Sequence, residues 1–283
     1  GGMIQTAFLA DGQPQTVQRS LDMLDFVLGK AQTPNGFFYG VYTPSLGFWG
    51  DDFREKSNTD VLLLRKQTDL LYFLIRQLEY IKSQELAPDR LPKWEEKVRL
   101  AADALVRLWR KNQHWGQFIL WPEEKILIDG SLSAVSGSGA LSITARYFNN
   151  PDYLDIAKVS GEYYYNNFIA NGLANGGPGE ILQCPDSESA FGALESFVTL
   201  YEETGEAHWL DYALRTARLC ASWCVSYDFT FPSHSTFGKL GMPTTGCVWA
   251  NVQNKHAAPG ICTFSGDSLF RLYRYTKDTF CLD

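Results

Sequence analysis

Hydrophobic residues recur at intervals of three and four along most of the chain, the spacing that one face of an α-helix produces. In residues 15–31, for example, Leu21, Leu24, Val27 and Leu28 follow this rule. A short β-hairpin is expected around Pro122-Glu123-Glu124, within a long loop. The spacing predicts an all-α fold with helices over residues 15–31, 60–83, 93–112, 131–147, 152–169, 185–203, 207–225 and 263–275.

These helices are predicted to alternate between two kinds. Residues 131–147 contain many small side chains and few charges, so this helix is expected to pack on several sides as an inner helix. A repeat supports the alternation, because three segments align on Leu154-Asp155, Leu210-Asp211 and Leu282-Asp283. Lys93-Trp94-Glu95 resembles a fainter fourth copy of the repeat. In the alignment of all four copies, the same position is occupied by Trp94, Tyr153, Trp209 and Cys281. Each repeat is therefore predicted to be a helical hairpin with an inner and an outer helix.

The loops between these helices are unequal in length. Turns from inner to outer helices are mostly short, such as Asn149-Asn150-Pro151, whereas loops from outer to inner helices run from about 14 to over 30 residues. The long loops and the N-termini of the inner helices are thus expected at one end of the molecule. Helix N-termini suit anionic or polyhydroxylated ligands, and long loops on a rigid scaffold often carry function. This end is the predicted binding face.

Composition narrows the function classes. The 283-residue chain has a net charge of −7 and no basic runs, which argues against nucleic acid and anionic membranes as partners. No apolar run approaches the ~20 residues that cross a bilayer. The six cysteines form no CxxC pair and are interpreted as free thiols, which leaves the compartment open. The four histidines show no ligand spacing, so neither a metal nor a cofactor is expected.

Residues 176–205 concentrate the candidate chemistry. A Gly-Gly-Pro-Gly loop is followed by Glu180, Asp186 and Glu188, which crowd together where a helix begins. Paired carboxyl groups are what glycosidic bond hydrolysis requires. The alternative is structural: Asp186 or Ser187 would cap the helix, and Glu188 would favour the helix dipole. Glu195, two turns further along, is interpreted as a buried structural partner.

Four other places hold candidate residues. The adjacent carboxylates Asp51 and Asp52 follow Trp49, which could stack on a sugar ring or anchor its own loop. Arg65 and Asp69 are spaced as an ordinary ion pair, although the arginine could instead hold a substrate group. Asp129 is a candidate acid or base that capping alone also explains. The last long loop contains Asn254 and His256, whose side chains suit recognition of sugar hydroxyls.

The hairpin repeat with its TGEAHWLDYA-type turn, the inner helices that open with Ser-Gly or Asp-Ser, and the loop asymmetry together resemble the six-hairpin (α/α) toroid superfamily. This resemblance covers most of residues 15–283 and implies a single (α/α) toroid domain over residues 1–283. The sequence supplies four inner and nearly five outer helices where the superfamily has six of each. A fragment of a larger chain is therefore one expectation.

The resemblance also implies a carbohydrate-active enzyme, most simply a glycoside hydrolase that uses a carboxylate acid/base pair on an oligosaccharide or polysaccharide. A polysaccharide lyase with roles for His256, Asn254, Tyr227 and Arg65 is the first alternative, and a non-catalytic glycan-binding domain is the second. A periplasmic or secreted location is favoured if the substrate is a polysaccharide. The predicted catalytic residues are Asp186, Glu188, Glu180 and Asp129, and the predicted substrate-binding residues are Trp49, Asp51, Asp52, Arg65, Trp115, Asn254 and His256.

Overall fold

The computed structural model describes residues 2–45, 47–50, 59–254 and 256–282. Its α-helices are α1 (Gly2–Asp11), α2 (Pro14–Phe26), α3 (Leu64–Ser83), α4 (Leu91–Asn112), α5 (Ser136–Phe148), α6 (Pro151–Asn167), α7 (Ser187–Thr204), α8 (His208–Ala221), α9 (Thr236–Lys239) and α10 (Asp267–Thr276). Its strands are β1 (Val41–Thr43), β2 (Phe48–Gly50), β3 (Val61–Leu63), β4 (Phe118–Leu120) and β5 (Lys125–Ile128).

The long helices form two layers. The inner helices pack on each other in chain order, α1 on α3, α3 on α5, α5 on α7 and α7 on α10. The outer helices α2, α4, α6 and α8 each pack on the inner helix that precedes them. Burial follows the same division, because every residue from Ser136 to Ala145 in α5 is buried, whereas α8 buries only one face. The predicted hairpins of an inner and an outer helix are confirmed.

Helix α5 owes its inner position to its small residues. A Cβ atom on Gly139 would lie 3.0 Å from the Cα of Ser196 in α7, and one on Gly137 would lie 2.7 Å from the indole of Trp115. The glycines are therefore needed for close approach between elements. Because α5 is so slender, side chains of α3 and α7 meet across it, as where Tyr72 Oη donates to Glu195 Oε1 at 2.5 Å.

The connections are unequal, as predicted. Short turns join α5 to α6 and α7 to α8; Asn150 caps α6 by accepting from the Asp152 N–H at 3.1 Å, and Gly205 ends α7 at a φ of 71°. The connections that lead into α3, α5, α7 and α10 are long and carry all five described strands. Strands β1 and β2 pair antiparallel, as do β3–β4–β5, which contain the hairpin expected around Pro122.

Several local predictions differ from the structure. The helix expected over residues 131–147 begins only at Ser136, and the one expected over residues 263–275 begins at Asp267. The helix expected over residues 60–83 begins only at Leu64, because Val61 to Leu63 pair with β4 and continue the apolar pattern as a strand. Helix α1 was not predicted; it packs on α2 and α3 as a further inner helix. With α1 included, the described residues contain five inner helices and four outer ones.

The repeat position identified in the sequence is a core position. Trp94, Tyr153, Trp209 and Cys281 are all buried, with at most 6% of their surface exposed. All six cysteines are free, as interpreted from the sequence, and two of them are buried. Within the described residues, no group of three potential ligands is placed to hold a metal ion, and no helix has the length and apolar character that a membrane span requires.

Candidate functional site

A cavity of about 680 Å³ lies where the loops gather, a size typical of small-molecule sites. Helices α1, α2, α3 and α7, the β1–β2 hairpin and the loop Gly177–Glu180 contribute to its walls. Its lining combines two kinds of side chain. Apolar and aromatic side chains form one part of it, among them Met23, Phe26, Tyr39, Trp49 and Phe73. The charged part consists of Arg65, Lys66, Asp69, Glu180 and Glu188.

Arg65 connects the charged residues Asp69 and Glu188 of the cavity lining. It stands in the first turn of α3, and only 11% of its side chain is exposed. Its guanidinium forms an ion pair with Glu188 of α7. Its Nε donates to Asp69 Oδ2 at 3.2 Å, and its Nη2 donates to the carbonyl of Cys262 at 2.9 Å. The arginine thus joins α3, α7 and the segment that leads into α10.

Asp69 holds this arginine from a second direction. While one of its oxygens accepts from Arg65, the other accepts from the Ser136 hydroxyl of α5 at 2.6 Å. The Ser136 hydroxyl lies 3.1 Å from that of Thr68 in turn. A chain of polar contacts therefore runs from α5 through Asp69 to Arg65 and Glu188. Because charge-assisted hydrogen bonds are the stronger ones, this chain fixes the geometry of the cavity wall.

Asp186 serves as the cap of α7. Its carboxylate is fully buried; Oδ1 accepts from the Ser189 N–H at 2.6 Å, and Oδ2 accepts from the Gly177 N–H at 3.0 Å. Burial raises the pKa of this carboxyl group, although the two N–H donors oppose the shift. A Cβ atom on Gly177 would lie 2.6 Å from Oδ1, so only glycine lets the loop approach so closely. Asp186 ties the glycine-rich loop to α7 and is not among the residues that line the cavity.

The three clustered carboxylates therefore have different surroundings. Glu188 lines the cavity with only 9% of its side chain exposed, and it is held by Arg65. Glu180 also lines the cavity, but it is exposed, on the helical turn Gly179–Ile181, and Asn254 Nδ2 lies 3.5 Å from its Oε1. Glu180 and Glu188 are the two carboxylates of the predicted cluster that the structure brings to one cavity.

Trp49 belongs to the aromatic part of the cavity lining. Its ring centroid is 4.8 Å from that of Tyr42, 5.5 Å from that of Phe26 and 6.2 Å from that of Tyr39. The tryptophan is half-buried. Such a cluster of rings provides an apolar surface that retains an exposed face, which suits the face of a sugar ring or another flat group.

Asp129 and Trp115 lie elsewhere. Asp129 is exposed and accepts a hydrogen bond from His114 Nε2 at 2.8 Å, outside the cavity lining. Trp115 is only 1% exposed, packs against Gly137, and donates its indole N–H to the carbonyl of Leu105 at 2.9 Å. The expected stacking of Trp115 on a substrate is corrected here, because a core residue offers no face to a ligand.

The remaining candidates are at or beyond the rim. Asn254 reaches the cavity only through Glu180, and His256 is exposed, its Nδ1 lying 2.9 Å from the carbonyl of Ala257. Tyr227, considered for lyase chemistry, is 63% exposed and does not belong to the described lining. Asp51 and Asp52 lie outside the described residues.

Sequence reasoning missed parts of this site. Asp69 was recognised as the ion-pair partner of Arg65, but its link to α5 through Ser136 was not. The Cys262 carbonyl and the rings around Trp49 were also missed. Glu195 was interpreted as a structural partner and is one: it is 3% exposed, accepts from Tyr72, and forms an ion pair with Arg271 of α10.

The solved structures that share the fold include carbohydrate-active enzymes. A D-mannose isomerase aligns over 99% of this chain and 70% of its own, with a TM-score of 0.65 and 12% identity. An unsaturated glucuronyl hydrolase from Bacillus sp. GL1 aligns over 98% of this chain and 74% of its own, with a TM-score of 0.61 and 13% identity. A GH76 α-mannanase from Bacteroides thetaiotaomicron aligns over 99% of this chain and 70% of its own, with a TM-score of 0.57 and 13% identity.

These matches confirm the (α/α) toroid fold that the sequence resembles. No protein-family model matches the chain, and no curated protein sequence matches it as a relative. At identities of 12–13% the likeness concerns the fold. One fold hosts many reactions, so the chemistry has to be argued from the site.

Proposed function

We propose that this protein is a carbohydrate-active enzyme and that it hydrolyses a glycosidic bond in the cavity beside Arg65. The observation that carries the proposal is the convergence of Glu180 and Glu188 on one cavity with an aromatic wall. Hydrolysis requires two carboxyl groups, one as general acid and one as base or nucleophile. The isomerase and hydrolases that share the fold support a sugar as the ligand.

The two carboxyl groups are assigned by their surroundings. Glu188 stands beside a guanidinium, so it takes the role that needs a negative charge, that of base or nucleophile. Glu180 is the second carboxyl group of the cluster at the cavity, so it takes the remaining role of general acid. Trp49 and its neighbouring rings would hold the apolar face of a sugar. Arg65 and Asp69 orient Glu188 and take no direct part in bond cleavage.

The test is a screen of neutral and acidic oligosaccharides and of 4-nitrophenyl glycosides, with released sugars measured by chromatography. Glu188→Gln and Glu180→Gln are compared with Glu96→Gln, a matched change at an exposed site of α4. Glutamine keeps the size of the side chain and removes the ionisable group. We expect each cavity variant to lose at least 100-fold in kcat, the lower range for an acid/base group, while Glu96→Gln behaves as wild type.

The outcomes separate the proposal from its rivals. Products with an unsaturated sugar, which absorb in the near ultraviolet, would identify a lyase. Sugar binding that survives both cavity variants, with no turnover in any protein, would identify a glycan-binding domain. Equal activity in wild type and in both cavity variants would show that the chemistry lies elsewhere. For an active hydrolase, the anomeric form of the first product gives the stereochemistry and the mechanism with it.

A further inference from the structure

The ionisable groups of the cavity give an anion no excess of positive charge. Among the described residues that line it, Asp69, Glu180 and Glu188 are acidic, and Arg65 and Lys66 are basic. Even with Glu180 protonated as the general acid, the two remaining acidic groups equal the two basic ones, and the whole chain carries a net charge of −7. A negatively charged ligand therefore meets repulsion from the chain on approach and no net attraction in the cavity.

Each nitrogen of the buried guanidinium already has a partner within the chain. A guanidinium recognises a carboxylate through two parallel N–H groups on one edge. Here Nε donates to Asp69, Nη1 pairs with Glu188, and Nη2 donates to the carbonyl of Cys262. A ligand carboxylate that took the place of Glu188 on Arg65 would leave a largely buried carboxylate without its cation.

The helix end nearest this pair is also occupied. The N-terminus of α7 is the kind of site that binds anions, because its first N–H groups lack partners within the helix. In this protein Asp186 accepts from the Ser189 N–H, and the Ser187 N–H donates to the carbonyl of Ala250 at 3.0 Å. Glu188 adds a further negative charge in the first turn. At the start of α7 the chain itself thus supplies negatively charged groups.

We infer that the sugar unit bound beside Arg65 and Glu188 is uncharged, a neutral sugar and not a uronate; this inference rests on the proposed function. Carboxylates accept hydrogen bonds from hydroxyl groups, so Glu180, Glu188 and Asp69 match a polyhydroxylated ring. The same groups repel a ring that carries its own carboxylate. The site thus selects against uronates by like charge as well as for neutral sugars by hydrogen bonding.

The test uses sugar pairs that share ring stereochemistry and differ only in the group at C6. Wild-type kcat/KM is measured at low salt for 4-nitrophenyl glucosides against glucuronides and galactosides against galacturonides. Binding of the corresponding free sugars is measured by calorimetry. We expect the neutral member of the preferred pair to exceed the uronate at least tenfold in kcat/KM and in affinity.

The variant Glu188→Gln tests the physical reason. It removes one negative charge and releases the Nη1 group of Arg65, so the ratio of uronate affinity to neutral-sugar affinity should rise at least tenfold. Glu96→Gln controls for the loss of one charge at a distance. Calorimetry reports binding whether or not the variant turns over, so the loss of a catalytic group does not obscure the result.

Each outcome bears on a separate statement. A wild-type preference for a uronate would overturn the inference and leave hydrolysis standing. An unchanged ratio of uronate affinity to neutral-sugar affinity in Glu188→Gln would overturn it as well. Preferential binding of neutral sugars with no turnover of any glycoside would support the inference and refute the proposed hydrolysis. The absence of binding by either member of every pair would refute both.

Discussion

Replacement of Asp186 separates a structural role from a catalytic one. In Asp186→Asn the remaining oxygen can still accept from the Ser189 N–H, since asparagine caps helices as well as aspartate does. The new amide then faces the Gly177 N–H, which loses its acceptor. A buried N–H without an acceptor costs about 1–3 kcal/mol. Asp186→Ala loses the cap too, a further cost of about 1 kcal/mol.

The magnitudes lead to a ranked expectation. Taking about 2 kcal/mol for the asparagine variant and about 3 kcal/mol for the alanine variant, and ~2–4 °C per kcal/mol for a chain of this size, Tm should fall by roughly 4–8 °C and 6–12 °C. Differential scanning calorimetry measures both values. Asp89→Asn, an exposed change between α3 and α4, serves as control and should leave Tm within about 1 °C.

The result that would refute this reasoning is specific. If Asp186→Asn kept the wild-type Tm and nevertheless abolished turnover, the carboxylate would act in the chemistry and the capping account would be wrong. If Tm falls as expected, activity should fall with it in a temperature-dependent way, because the Gly177 loop that carries one cavity wall has lost its tie to α7.

Three further predictions follow from the same contacts. Burial raises the pKa of Asp186, so the native state binds the proton of this carboxyl group more tightly than the unfolded chain does. The free energy of unfolding of wild type, relative to that of Asp186→Asn, should therefore increase as the pH falls from above the raised pKa to the ordinary pKa of an aspartate. Urea unfolding at several pH values measures this difference. Ser136→Ala removes the hydrogen bond to Asp69 and should lower kcat/KM about tenfold, since a hydrogen bond to a charged group contributes about 1.5–3 kcal/mol, whereas Ser142→Ala in the same helix should not. Gly139→Ala places a Cβ atom 3.0 Å from the backbone of α7 and should destabilise the protein by about 1–3 kcal/mol, as followed by thermal unfolding; an unchanged Tm would show that the two helices can move apart freely.

The outer helices that the sequence predicted are those with one apolar face. Helices α4 and α8 bury one side only, so their pattern marks both their period and their outer position. Helix α1 has no such face, and Leu9 is its only buried residue, which explains why its pattern gave no signal. Strand β3 was missed because Val61-Leu62-Leu63 runs without interruption into the apolar pattern of α3. Pairing with β4 decides its structure, and local pattern does not report pairing.

The sequence predicted many of the residues of the candidate site but not how they are arranged. The gathering of Glu180, Asp186 and Glu188 at one helix start was visible in the chain, but its division into a cap and two cavity residues depends on burial. Trp115 illustrates the same limit. An aromatic residue in a long loop looks available for stacking, and only its contact with Gly137 of α5 shows that it belongs to the core.

The seven-residue spacing of side chains along the inner helices places one polar cross-helix pair at the cavity and another in the core. Arg65 and Tyr72 are seven residues apart on α3, and Glu188 and Glu195 are seven apart on α7, which places two cross-helix pairs about 10.5 Å apart along α5. The pair nearer the helix N-termini opens on the cavity. The deeper pair is closed by Arg271 from α10, and burial raises the pKa of Tyr72, so this hydroxyl stays protonated and donates to Glu195. The pair Arg65 and Glu188 is therefore the one that a ligand in the cavity can reach. The deeper pair, Tyr72 and Glu195, joins three inner helices through Arg271.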